Sequence, residues 1–273
     1  MLRRLSVFVL FLCACHTSVR RHDAAPAQRV VSLLPSFTEI LFAIGAGDQV
    51  VGRTQWCDYP AAALKVPSVG EAIPPNVEAV AARNPDLVVV YNSGTNITAA
   101  KQLERIGIRT VLIDMNRLED VGPAARRLGQ LTGHEKQADS LAAVMESLLH
   151  QPPATSTPST TLAFIVWDDP PIVIGRGSYL DELATRAGAR NVFSDIAAPS
   201  AQVALETIVA RDPHWIAVLS DSGTPPAFAK RREWRAVPAV RDARFLLLKG
   251  SIFGRPGPRS GEAIDQLRRM LVR

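Results

Sequence analysis

The chain has 273 residues, 47% of them hydrophobic and 21% charged. That is the composition of a globular protein, long enough for one large or two modest domains with proper cores. Its formal net charge of +5 includes Arg3 and Arg4 in a leader-like segment, and the remaining surplus is too small to point to nucleic acid.

Residues 1–14 have a basic start and an apolar run from Leu5 to Ala14, the architecture of a signal peptide. The run is about half the length that a bilayer crossing requires. Leu12-Cys13-Ala14-Cys15 resembles a bacterial lipobox, which makes Cys15 the expected lipidation site; an ordinary cleaved leader and a short uncleaved anchor are the other readings. Residues 15–28 are polar and aperiodic, a flexible tether. With Cys13 lost and Cys15 lipidated, Cys57 is left as a lone thiol, read as buried and inert.

From Arg29 the pattern alternates. "RVVSLLP" reads as a strand and "SFTEILFAIGAG" as a helix with Ser36 as N-cap, Glu39 closing a capping box and Gly45 or Gly47 ending it. Strand "QVVGRT", loop "QWCDYP", helix "PNVEAVAARNP" capped by Asn76, strand "DLVVVYN", helix "ITAAKQLERIG" and strand "IRTVLID" complete a lobe over 29–120. Residues 121–151 break the rhythm with two successive helices, the second placing Leu141, Val144, Met145, Leu148 and Leu149 on one face. A Pro/Ser/Thr-rich linker at 152–160 precedes a second alternating lobe over 161–273, which includes an expected helix "PAFAKRREWRAV". The fold class is therefore α/β, with two parallel-sheet lobes bridged by one long helix.

One phrase occurs in both lobes, each time as a helix before a strand: Glu78, Arg83 and Pro85 in the first, Glu206, Arg211 and Pro213 in the second. Enzyme signatures are missing: there is no G-x-G-x-x-G after a strand, no Walker A loop, no H-E-x-x-H and no G-x-S-x-G. His16, His22, His134, His150 and His214 are scattered and make no evident metal site. Aromatic residues do gather in loops at strand ends: Trp56, Tyr59, Tyr91, Trp167 and Phe253, with Arg255 and Arg259 beside the last. In parallel sheets that is where ligands bind. An enzyme acting in such a cleft would have Asp58, Asp168 and Asp169 to work with.

The segments "RVVSLLPSFTEILFAIGAGDQVVGRTQWCDYP", "NVEAVAARNPDLVVV" and "GSYLDELATRAGARNVF", in that order, resemble the iron-siderophore and vitamin B12 group of ABC-transporter substrate-binding proteins. The resemblance implies a monomeric, rigid two-lobed receptor outside the cytoplasm, held to the membrane by its lipid. It implies no catalysis, no cofactor and no protein-held metal. The ligand, lying between the lobes, would be a bulky metal chelate, a corrinoid first, with ferric siderophore or haem as alternatives. Ligand contacts would fall on Trp56, Tyr59, Trp167, Phe253 and Arg255. Glu78 and Glu206 would dock the lobes onto a dimeric permease served by ATPase subunits. Ser251, Ile252 and the run "APSAQVALE" depart from the B12 pattern, lacking an acid and tryptophans found there.

Overall fold

The structure, a computed structural model, describes residues 25–151 and 160–272. The leader, Cys15, most of the expected tether and residues 152–159 of the expected linker lie outside the described residues. Residues 26–28, assigned to the tether from sequence, belong instead to the packed body. Ala27 is 3% exposed and donates its N–H to the carbonyl of Leu131 at 2.7 Å, so the chain docks before the first strand begins.

The first lobe runs β1 (Val30–Ser32), α1 (Pro35–Ala43), β2 (Val50–Arg53), α2 (Val77–Ala81), β3 (Leu87–Tyr91), α3 (Gly94–Arg105) and β4 (Thr110–Ile113). Its four strands lie in the order β2-β1-β3-β4, all paired in parallel. Strand side chains alternate between faces. Val30, Leu87 and Val89 therefore enter the main core, whereas Val31, Val88 and Val90 pack with Leu33, Val80 and Leu103 on the other face.

Two helices follow, α4 (Val121–Thr132) and α5 (Glu135–His150). Gly133 ends α4 at φ 78°, a left-handed position that suits glycine. Gly129 lets the two helices touch: a Cβ there would lie 2.4 Å from that of Ala138. Ala138, Ala142 and Met145 form the buried stripe of α5. Val144, expected on that stripe, is 63% exposed, because it lies one position from Met145 and so about 100° around the helix.

The second lobe comprises β5 (Thr160–Asp168), β6 (Pro171–Ile174), α6 (Tyr179–Ala187), β7 (Ala189–Asn191), β8 (Ser200–Gln202), α7 (Leu205–Arg211), β9 (Trp215–Leu219), α8 (Pro238–Arg241), β10 (Phe245–Leu248), α9 (Gly250–Phe253) and α10 (Ser260–Leu271). The order is β10-β9-β5-β6-β8. β10, β9 and β5 pair in parallel. One edge of β5 is shared: its first residues pair with β7 in parallel, its last with β6 in antiparallel. The sheet is thus mixed where wholly parallel pairing was expected, since the Asp168–Pro171 turn folds the chain straight back.

The helix expected over Pro226–Val237 is replaced by two short 3-10 turns, Ala227–Lys230 and Glu233–Ala236, ahead of α8. Phe228 and Trp234 are both buried, with ring centroids 4.2 Å apart. Six residues along one α-helix would set them about 120° apart around the axis and about 9 Å apart along it, so stacking their rings requires a break. The main core is continuous through the molecule, from Phe37 and Ile40 of the first lobe through Leu128 and Met145 to Leu183, Ile264 and Leu267 of the second.

Candidate functional site

The strands of both lobes end at loops carrying the residues singled out from sequence, and one buried carboxylate joins the lobes there. Helix α1 begins with Pro35 at its first turn and Leu34 as N-cap, with no side-chain cap. Ser36, expected to cap it, lies inside the helix, buried, and its Oγ has no partner. Glu39 closes no capping box. It is 4% exposed, and its Oε1 accepts from Arg255 Nε at 2.9 Å and from Arg259 at 2.6 Å, while Oε2 accepts from Arg259 Nε at 2.8 Å.

Both guanidiniums come from the loop after α9, and both are used up. Arg255 also donates to Asp58 Oδ1 and to the carbonyl of Trp56 at 3.4 Å. Arg259 donates to the Ser251 carbonyl and stacks 3.9 Å from the centroid of the Tyr59 ring. Burial works against the Arg259 charge, but its bonds to Glu39 and that carboxylate's charge outweigh burial and raise its pKa above the ordinary value. Next to it, Tyr179 shares a hydrogen bond with Ser260 at 3.0 Å, and burial raises the phenol well above its usual range. The network separates a cavity of about 340 Å³, lined by Asp58, Tyr59, Lys249, Ser251 and Glu262, from one of about 280 Å³ lined by Glu39, Phe42, Tyr59 and Pro258.

Tyr59 and Arg255 are therefore brought together, but Arg255 is not the free cation that sequence suggested. Phe253, expected at the ligand from its place in the sequence, is 1% exposed and packs in the main core from the short turn of α9. The two indoles stand out in solvent. Trp56, 59% exposed, follows β2 and donates Nε1–H to Glu71 at 2.7 Å. Trp167, 58% exposed, ends β5 and donates Nε1–H to the Asp169 carbonyl at 2.8 Å. It opens an apolar shelf of about 190 Å³ with Val166, Leu219, Pro226 and Ala227. The three carboxylates an enzyme would require are held in ion pairs, Asp58 to Arg255 and Asp168 and Asp169 to Arg231 at 2.6 and 3.7 Å. Cys57 is buried, its thiol 3.1 Å from Thr54 Oγ1.

The repeated phrase folds the same way twice. Glu78 and Glu206 lie in the first turns of α2 and α7 and are exposed, Pro85 and Pro213 are buried, and the residue before each proline is left-handed, Asn84 at φ 48° and Asp212 at φ 39°. Asn and Asp tolerate that conformation better than other side chains. Glu39 is the site residue that the pattern of the sequence misplaced. A signal was available, since it is the one ionisable group in the apolar helix "PSFTEILFA".

A profile of periplasmic binding proteins matches residues 30–251. A vitamin B12-binding protein of Vibrio vulnificus (strain CMCP6) is 28% identical over 253 residues, 90% of each chain. An uncharacterized ABC transporter substrate-binding lipoprotein of Bacillus subtilis (strain 168) is 33% identical over 249 residues, 88% of this chain and 78% of the relative. Among solved structures, the periplasmic heme-binding protein RhuT from Roseiflexus sp. RS-1 in apo form superposes with a TM-score of 0.77 at 24% identity, over 90% of this chain and 98% of that one. The periplasmic vitamin B12-binding protein BtuF of Vibrio cholerae gives 0.71 at 24% identity, over 90% and 97%. These superpositions establish the two-lobed fold. The chain belongs to the periplasmic binding protein family, whose members act outside the cytoplasm.

Proposed function

We propose that this protein is the substrate-binding component of an ABC importer and carries a bulky metal chelate, a corrinoid before haem or a ferric siderophore. The observation that supports this most is the pair of indoles, one per lobe, each held outward at a strand end by its own hydrogen bond. An exposed aromatic face fixed in orientation is a platform for a large flat ligand, and it loses little entropy on binding. The relatives named for vitamin B12 binding agree with that ligand class. The chelate brings its own metal coordination, so the protein contributes faces and hydrogen bonds. No catalytic step is assigned.

Tryptophan fluorescence of the full chain, titrated with cyanocobalamin, hemin and a ferric siderophore, tests the reading. Saturable quenching by one of them is expected, and Trp56→Ala and Trp167→Ala should each weaken it by about tenfold, since a base- or ring-sized stack is worth about 1–3 kcal/mol. No response to any of the three overturns it.

In the importer, Glu78 and Glu206 serve as the two contacts with the permease dimer, with ATPase subunits beneath. Both are exposed, and neither carboxylate has a hydrogen-bond or ion-pair partner among the described residues. Charges set apart on a rigid body fix orientation and speed encounter. Exchanging both for Ala should leave ligand affinity unchanged and abolish uptake; weakened ligand binding would remove them from that role. Cys15 is assigned as the lipidated residue of a monomeric, membrane-held receptor, and Cys15→Ser should release the protein from membranes.

A further inference from the structure

Among the described residues, the guanidiniums nearest the gap between the lobes are neutralised or buried, whereas Arg127 beside the end of β4 and Arg176 after β6 are exposed and unpaired. Arg231 is paired with Asp168 and Asp169, and Arg117 with Glu182 and Glu119. Arg53 is 9% exposed and donates to the carbonyls of Ala63 and Thr54. Arg255 and Arg259, which face the gap between the lobes, converge on Glu39 and Asp58. Lys249, exposed after β10, lines the same cavity as Asp58 and Glu262 and has no ion pair among the described residues. Uncharged polar groups also lie at this end of the sheets: Tyr91 bonded to Asn116, Asn92 bonded to Asp114, and the cluster Ser220, Ser222 and Thr224.

From this arrangement, and resting on the receptor reading above, we propose that Glu39 and Asp58 are specificity-determining residues. They mask the two loop arginines and so select a chelate with a neutral, amide-rich periphery over one that carries carboxylates. An unmasked arginine pair would do the opposite, because guanidinium groups bind carboxylates through paired, charge-assisted hydrogen bonds. Here those donors already have acceptors, Glu39 from within and Asp58 at the surface, and an incoming carboxylate meets the exposed Asp58 instead. Like charges brought together at an interface act against the wrong partner. The amides of a neutral periphery carry no such charge and find partners among the Asn, Ser and Thr side chains.

The test compares two probes that differ in one group: cyanocobalamin and its monocarboxylate, made by hydrolysing one peripheral propionamide. Affinities for both are measured by tryptophan fluorescence on the full chain and on two variants. Asp58→Asn is the first, because the Asp58 side chain is 46% exposed and its loss does not threaten the fold. Glu39→Gln is the second and keeps an acceptor oxygen in place. The wild-type chain should prefer the amide form. Each variant should shift the ratio of the two affinities by about tenfold toward the carboxylate, the scale of one charge-assisted hydrogen bond gained. A purely structural role would weaken both probes in parallel and leave the ratio unmoved, and that result, or equal wild-type affinities, overturns the masking proposal alone. Failure of the wild-type chain to bind either probe overturns the corrinoid reading, and the proposal with it.

Discussion

Helix α2 of the first lobe is capped at its start by Asn76, whose Oδ1 accepts from the Ala79 N–H at 2.9 Å, whereas α7 of the second lobe starts after Ala204, whose methyl offers no acceptor. The arginines of the shared phrase diverge as well. Arg211 is paired with Asp195, donates to the Val192 carbonyl and lies 4.6 Å from the centroid of the Phe193 ring. Arg83 packs its stem over Gly52, and its Nε is buried without a partner. What the two lobes hold in common is the path from an exposed glutamate through a left-handed residue to a buried proline. The common part is backbone path and burial; the differing parts are the side-chain bonds that hold each helix.

The strongest way to break the likeness between the lobes is to remove the group that joins them. Glu39→Ala leaves two guanidiniums, 16% and 15% exposed, without their shared acid. Breaking a buried ion pair from one side destabilises by about 3–5 kcal/mol. The urea midpoint should fall accordingly, and a loss under about 1 kcal/mol would show that solvent replaces the acid at no strain. A smaller effect is expected from the unequal arginines. Arg211→Met gives up an ion pair, a carbonyl bond and a ring contact, and should cost about 1–3 kcal/mol. Arg83→Met keeps the stem and removes an unsatisfied nitrogen, so its effect should stay within about 0.5 kcal/mol. Equal losses at the two sites would mean that the phrase, rather than its surroundings, decides stability.

Much of this architecture was legible in the sequence because it is written in local terms. Short apolar runs such as "DLVVV", the Asn76 cap and the glycine at 45 fix strands and helix ends without reference to anything distant. The recurrence of Glu, Arg and Pro was readable for the same reason. What escaped depends on contacts between residues far apart in the chain. Glu39 fits a capping box by spacing, yet its partners lie more than two hundred positions away, and the gain from that network exceeds the gain from a cap. Phe253 looked like a loop aromatic until α9 turned it into the core. The antiparallel edge of β6 and β8 follows from a tight turn and from two three- or four-residue strands too short to show a period.

The caps give the finest test of the comparison. If the glutamates are oriented by the shared path and merely steadied by the cap, changing a cap should alter stability and leave orientation alone. Asn76→Ala removes the acceptor for the Ala79 N–H and should cost about 1 kcal/mol. Ala204 has extended backbone angles, φ −74° and ψ 150°, which are those of an N-cap, so Ala204→Ser supplies a missing acceptor without strain and should gain roughly 0.5–1 kcal/mol. Thermal melts of the two single variants should therefore move in opposite directions, by a few degrees at most. Ligand affinity and uptake should match the wild-type chain in both. A cap variant that folds stably but loses uptake would show that side-chain capping, and not only the left-handed residue and the proline, sets the direction of Glu78 or Glu206.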